Sequence, residues 1–471
     1  MTAQQYDVIV IGTGPAGEVI AGRLAKAGLD VVVVEDRLVA GECSFYACMP
    51  SKALLRPGHL LAEARRVPGT REAVTGELDV QAVLARRDEV IHDLDDSAQT
   101  PWLDHMGIDL VRGRGRLTGE RTVAVSDADG NDVAELEAGT AVVLATGTAP
   151  SIPPVPGLQE AKPWTNREAT TASYPLPARV AIIGTGPVGS ELSDAYSALG
   201  VQVTLIGDAD RLLPREEPFA GEQVAGVLRE RGVDLRLSAK LTKVERAEAG
   251  GPATLHVQAA GGGESTVEVD EIIVAAGRTP TTGNLGLDTV GIAPNAHGFI
   301  DVDRRLQVGE LDWLYAVGDV NGRDLLTHQG KYQAHIAAQV ILGAKDAVLR
   351  DGPPPVRVTF TEPEVAGVGH TEASAAEAGL DVRIVEVSTD GNAGASFIGK
   401  GAPGTCRLLV DESRGVIVGA TFTGVEIGEQ IHAATIAIAS ATPIEQLWHA
   451  VPAFPSRSEI WLRLLEAYDG W

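Results

Sequence analysis

The sequence predicts an α/β protein with two Rossmann-like dinucleotide-binding domains and a separate C-terminal α+β domain. The first observation is a repeat: residues 7–36 read DVIVIGTGPAGEVIAGRLAKAGLDVVVVED and residues 179–208 read RVAIIGTGPVGSELSDAYSALGVQVTLIGD. The second is a change of pattern beyond the Pro/Gly break DGPPP at 351–355. The third is length, since 471 residues exceed what one hydrophobic core supports.

Each copy of the repeat reads as a buried strand of β-branched residues, a G-x-G-x-x-G turn, a helix and a second apolar strand. Gly12, Gly14 and Gly17 align at one constant offset with Gly184, Gly186 and Gly189. In such a βαβ unit the first glycine permits the tight turn, the second lets backbone approach a pyrophosphate, and the third lets helix and strand pack closely. Two dinucleotides per chain are therefore expected. The copies part where a ribose is read: Glu35 ends the second strand of the first copy, placed to accept from a ribose hydroxyl, whereas Gly207 is its counterpart. The first site suits FAD or NAD. The second lacks the carboxylate that would repel a 2′-phosphate, and Arg211 and Arg215 follow it; Asp208 argues the other way, so NADPH and NADH both stay open. Asp319 ends the strand-like LYAVGDV, at the strand end where α/β sheets bind ligands. From 355 onward, segments such as CRLLVDE and VIVGATFTG precede helical patterns at 427–441 and 457–468, which gives the α+β domain.

Charge excludes other classes. A net charge of −25 has the wrong sign for a phosphate backbone or an anionic membrane surface. The longest uncharged stretch, 138–159, contains Pro150, Pro153, Pro154 and Pro156 and is not read as a membrane span. The apolar run at 8–11 is too short for a signal peptide. A cytoplasmic protein with neither nucleic-acid nor membrane partners is expected.

Three cysteines make no disulfide scaffold, but Cys43 and Cys48 lie within a few residues of the first dinucleotide unit. On an ideal helix five residues advance about 7.5 Å, so a bridge between them needs bent backbone. A redox disulfide, a metal site and inert thiols are the three readings; zinc wants two further ligands at recognisable spacing, and none follow.

Taken together, GTGPAG, the C-x4-C-x-P-S-K stretch at 43–52, ATGTAP at 145–150, GTGPVG followed by Glu191, AAGRTP at 275–280, YAVGDV at 315–320, LLTH at 325–328 and FTEPEVAGVG at 360–369 resemble the flavoprotein disulfide reductases, the FAD-dependent pyridine nucleotide-disulfide oxidoreductases, along nearly the whole chain. The resemblance implies an NAD(P)H-dependent enzyme with FAD in the first site, NADPH or NADH in the second, and a C-terminal homodimerisation domain. Its boundaries would be 1–150 and 276–350 for the two parts of the FAD-binding domain, 151–275 for the NAD(P)-binding domain and 351–471 for dimerisation. It further implies a redox-active Cys43–Cys48 disulfide, with Cys48 against the flavin ring and Cys43 meeting substrate. Lys52 and Glu191 would form an ion pair beside flavin N5, Asp319 would hold the ribityl chain, and Gly115, Thr146, Gly147, Gly277 and His328 would border the cofactors.

One departure matters most. The family commonly carries His-x-His-Pro-x-x-Ser-Glu near its C-terminus, whose second His acts across the dimer as acid and base for the substrate thiol. Here the stretch is Pro452-Ala453-Phe454-Pro455-Ser456-Arg457-Ser458-Glu459, so Phe454 replaces that His and Glu459 lacks its imidazole partner. No other His is an obvious substitute: His449 is expected in the preceding helix, and His59, on the helix after Lys52, reads as a packing or surface residue. Glu42 stands where the family commonly has Thr. The chain ends without the C-terminal cysteine pair of mercuric and high-molecular-weight thioredoxin reductases. The carboxylating branch that also carries Phe pairs it with His rather than Glu459, which disfavours carboxylation. The expected acceptor is a disulfide or other thiol-reactive small molecule whose reduction needs no imidazole acid. A quinone or dye taking electrons from flavin, or a flavin-bound redox sensor, are the alternatives.

Overall fold

The computed structural model describes residues 3–350, 352–402 and 404–471, so Asp351 of the 351–355 break lies outside the described residues. The chain divides into two compact units. The first comprises Met1–Pro50, Asp88–Ser151 and Arg278–Asp351, and the second Ser51–Arg87, Ile152–Gly277 and Gly352–Trp471.

The first unit is organised by a sheet in the order Gln307–Val308, Leu311–Ala316, Asp132–Leu144, Gln4–Ile11, Val31–Glu35, Ile108–Arg112. All neighbours are parallel except the first pair, and strands Arg114–Gly119 and Thr122–Ser126 extend the sheet antiparallel from Asp132–Leu144. The strands read as unbroken apolar runs because both faces are covered. Val8, Val10, Val31 and Val33 pack with Ile20 and Leu24 of helix Pro15–Lys26 and with Ala334 and Ala337 of helix Thr327–Ile341. Ile9, Ile11, Val32 and Val34, pointing to the opposite face, pack with Leu117, Val123 and Leu136. Burial of each such side chain contributes roughly 1.5–3 kcal/mol.

The second unit holds the other repeat. Its parallel sheet runs Asp234–Arg236, Gln202–Ile206, Arg179–Ile183, Glu271–Val274, with helices Pro187–Ala198 and Pro218–Glu230 connecting its strands and an antiparallel meander, Ala239–Arg246, Ala253–Ala259, Glu264–Val269, inserted before the last of them. Its C-terminal part is an antiparallel sheet of five strands, Arg357–Thr359, Glu364–Gly369, Val416–Gly424, Thr405–Asp411, Val382–Ser388. Helices Ile431–Ala439 and Ile460–Asp469 cover it through Ile431, Ala434, Leu464 and Leu465 against Phe422 and Leu408. No helix among the described residues is long and apolar enough to cross a membrane.

Candidate active site

The two glycine turns share one geometry. A Cβ on Gly17 would overlap the Gly12 carbonyl, and a Cβ on Gly189 would overlap the Gly184 carbonyl, so these glycines serve close packing. Gly14 and Gly186 differ: a Cβ at either would meet no atom within 4 Å. Each is the N-cap of a twelve-residue helix, and neither cap receives a side-chain hydrogen bond. Open space before an uncapped helix N-terminus is what a pyrophosphate requires, and on this ground the residues fit a dinucleotide in both units.

Beyond the turns the copies diverge. Glu35 Oε2 accepts from Thr13 N at 2.9 Å and Thr13 Oγ1 at 2.6 Å, and Oε1 accepts from Arg37 N at 2.9 Å. Burial nonetheless holds its carboxyl above the ordinary value, against those hydrogen bonds. In the second copy a Cβ on Gly207 would collide with Cγ2 of Thr185, the counterpart of Thr13. Arg211 is occupied locally, with Nη2 donating to the Pro214 carbonyl at 3.1 Å and Nη1 3.4 Å from Asp210.

Cys43 and Cys48 are disulfide-bonded with Cα atoms 4.8 Å apart. The chain meets the helical spacing problem by breaking: helix Gly41–Phe45 stops, Tyr46 leaves helical geometry at φ −131°, and helix Cys48–Arg66 begins anew. Thr327, first residue of helix Thr327–Ile341, points its hydroxyl at both sulfurs, 3.3 Å from Cys43 Sγ and 3.5 Å from Cys48 Sγ. LLTH was visible as a motif, but nothing in sequence spacing marks Thr327 as the residue facing the cysteines. Also in this unit, Arg278 donates to Thr148 Oγ1 at 2.6 Å and lies 3.9 Å from Glu42 and 4.0 Å from Asp319.

Asp319 sits in the turn Gly318–Asn321 directly after strand Leu311–Ala316 and accepts from Thr148 Oγ1 at 2.8 Å. Burial pushes its carboxyl above the ordinary value, against the Thr148 hydrogen bond and the Arg278 charge. A raised carboxyl pKa means that ionisation costs the fold stability once pH exceeds the unfolded value, and that this cost vanishes in acid. Asp319→Asn is expected to raise apoprotein thermal stability by roughly 1–4 °C at neutral pH and by nothing at pH 3, while weakening FAD retention. Undiminished FAD retention would remove Asp319 from the site. Thr146 Oγ1 donates to the Thr281 carbonyl at 2.8 Å, and Gly147 and Gly277 adopt positive φ of 65° and 121°. A Cβ on Gly115 would press on Ile11 and Val34, so core packing already accounts for that glycine. His328 is the second residue of helix Thr327–Ile341.

In the second unit Lys52 Nζ pairs with Glu191 Oε2 at 2.7 Å and lies 4.6 Å from the Phe360 ring centroid. Glu191 Oε1 accepts from Phe360 N at 2.9 Å, so one carboxylate ties two distant segments to helix Pro187–Ala198. His59, seven residues on from Lys52, is not a surface residue: it pairs with buried Asp194. His449 lies past helix Ile444–Leu447 rather than in it.

The C-terminal residues separate. Phe454 is 77% exposed, whereas Glu459 is 6% exposed. Glu459 Oε1 lies 3.4 Å from Arg463 Nη2 one helical turn on, Arg463 also holds Glu466 at 2.8 Å, and Glu459 Oε2 has no hydrogen-bond partner among the described residues.

Residues 6–340 match the pyridine nucleotide-disulphide oxidoreductase family and residues 356–464 its dimerisation domain. The chain is 32% identical to a dihydrolipoyl dehydrogenase of Thermus scotoductus over 98% of this chain and 97% of that one, and 29% identical to a mercuric reductase of Staphylococcus aureus over 96% and 81%. Among solved structures it superposes on a Cu(II) complex of the HOCl-induced flavoprotein disulfide reductase RclA from Escherichia coli with TM-score 0.86 and 25% identity, covering 98% of this chain and 99% of that one.

Proposed function

The chain belongs to the pyridine nucleotide-disulphide oxidoreductase family, and from that premise we propose how this NAD(P)H-dependent flavoprotein disulfide oxidoreductase uses its residues. The C-terminal part is its homodimerisation domain, where the exposed Ile436, Val451 and Phe454 give a second copy apolar surface to cover. We assign residues 1–150 and 276–350 to FAD, 151–275 to the nicotinamide coenzyme and 351–471 to the dimer. Bound at the first glycine turn, FAD supplies the two-electron link between nicotinamide and disulfide.

The observation that carries the reading is the Cys43–Cys48 bond with the Thr327 hydroxyl against both sulfurs. Two-electron reduction breaks that bond and leaves two sulfurs, and Thr327 donates to the anionic one, which lowers the cost of holding a thiolate there. Cys48 would be the thiol that takes electrons from bound FAD and Cys43 the one that meets the acceptor. With a disulfide acceptor, Cys43 thiolate attacks one acceptor sulfur, the acceptor bond breaks, and the departing thiolate needs a proton. Cys48 then attacks the Cys43 sulfur, releases the second thiol and restores the Cys43–Cys48 bond. Phe454 supplies no proton for the first departure, so the favoured acceptor is a thiol-reactive electrophile that needs none.

A thiophilic metal ion meets that demand: both thiolates bind it as ligands, and as Cys43 and Cys48 re-form their disulfide the two electrons pass to one Hg(II) or to two Cu(II), with no leaving group to protonate. The mercuric reductase and Cu(II)-complex relatives favour this second reading. Anaerobic titration with NADPH and NADH, followed by an acceptor panel of lipoamide, glutathione disulfide, Cu(II), Hg(II) and a quinone, tests it. Metal reduction that survives Cys43→Ser, or quinone turnover alone, would overturn the dithiol route.

Coenzyme choice rests on Arg211 and Arg215. Arg211 must leave Asp210 and the Pro214 carbonyl to bind a 2′-phosphate. If it does, Arg211→Ala raises KM for NADPH roughly ten-fold, as loss of a charge-assisted hydrogen bond predicts, and leaves KM for NADH nearly unchanged. Equal losses with both coenzymes would show that Arg211 does not read the phosphate.

A further inference from the structure

Helices Cys48–Arg66 and Pro187–Ala198 are pinned together twice. Lys52 meets Glu191 at 2.7 Å, and His59 Nε2 meets Asp194 Oδ2 at 3.3 Å. Seven residues, about two turns, separate the two cationic side chains, and three residues, about one turn, separate the two carboxylates, so each set shares a helix face. A third segment binds both carboxylates: Phe360 N donates to Glu191 at 2.9 Å, and Glu362 N donates to Asp194 at 2.6 Å. Around the second pair the charges are matched, with Arg231 bonded to Asp194 and Glu362, and Arg66 bonded to Glu362. Asp194 is buried, and a carboxylate persists there only while these donors hold it.

We infer that Asp194 and His59 are positioning residues for Lys52: they fix helix Cys48–Arg66 against helix Pro187–Ala198 in the register that keeps the Lys52 ammonium on Glu191. This rests on the reading that Lys52 acts beside the flavin. The groups facing His59 are Asp194, Glu362, Glu364 and Arg231, with Arg66 beyond Glu362. Burial by itself would depress the imidazole, but the Asp194 hydrogen bond and charge, with Glu362, outweigh burial and Arg231 and hold its pKa above the ordinary histidine value. The same contacts hold the Asp194 carboxyl below its ordinary range in spite of burial. The His59⁺–Asp194⁻ bond is therefore full in strength below the ordinary histidine value and is lost as pH rises through the raised one.

The test uses the FAD-loaded protein. Asp194→Asn and His59→Gln are made alone and together with Lys52→Met; flavin midpoint potential is measured by dye equilibration, and flavin reduction by stopped flow. Each is expected to slow flavin reduction about ten-fold and move the potential negative when Lys52 is present, and to change neither in the Lys52→Met background. The potential should also fall as pH rises through the His59 titration, and His59→Gln should flatten that limb. Equal effects in both backgrounds, or lowered thermal stability at unchanged potential, would reduce the pair to scaffold and overturn the inference. If Lys52→Met changes neither rate nor potential, the placement of Lys52 itself fails. Should Asp194→Asn not fold, His59→Gln alone decides by the same comparison.

Discussion

Cys48→Ser is expected to reduce disulfide turnover to background and to remove the long-wavelength thiolate–flavin absorbance, while FAD stays bound and NAD(P)H still bleaches it. The wild-type protein should take up two electrons before bleaching begins, because the Cys43–Cys48 disulfide is itself a two-electron acceptor. Cys43→Ser should separate the roles, losing turnover but displaying the absorbance permanently, since Cys48 can then form no disulfide and its thiolate retains Thr327 at 3.5 Å. Both variants should fold, as the two cysteines tie helix Gly41–Phe45 to its immediate neighbour rather than closing a long loop. Wild-type spectra from both reduced variants would disprove the assignment.

Phe454→His is expected to raise lipoamide or glutathione disulfide turnover by roughly ten-fold, short of the full 10²–10⁴ of a positioned acid–base. Flavin reduction by NAD(P)H should be fast in wild type and variant alike, and quinone reduction should barely change. The structure adds a condition: the carboxylate that would orient the new imidazole is engaged by Arg463 at 3.4 Å. Phe454→His with Arg463→Met should therefore exceed Phe454→His alone. Rapid wild-type turnover of either disulfide would overturn the argument, as would no gain from the double variant.

The architecture was legible because the repeat, its unbroken apolar strands and the cysteine spacing are all local in sequence. The Lys52–Glu191 pair came only through family motifs, since 139 residues separate its members. Asp194 and Arg231 lie 37 residues apart and Arg231 and Glu362 131, so nothing local in sequence marks their contacts either. Residues 51–87 belong to the second compact unit although they follow the first repeat directly, because their helix packs Leu54 and Leu55 against Ala195 and Leu199. Glu459 and Arg463 stand at helical i, i+4 spacing, so their contact is local and follows once the terminal helix is placed.

A side chain at position 207 meets Cγ2 of Thr185 unless that threonine turns its hydroxyl inward, as Thr13 does beside Glu35, so coenzyme specificity at this turn involves two positions. Installing an acidic reader at Gly207 first requires Thr185 to leave its present rotamer for the one Thr13 adopts, a restricted step for a β-branched residue. Thr185→Ser removes the offending methyl and keeps a hydroxyl that could bond the new carboxylate, as Thr13 bonds Glu35 in the sister turn. A change at position 185 that precedes one at position 207 thereby eases the path from one coenzyme to the other.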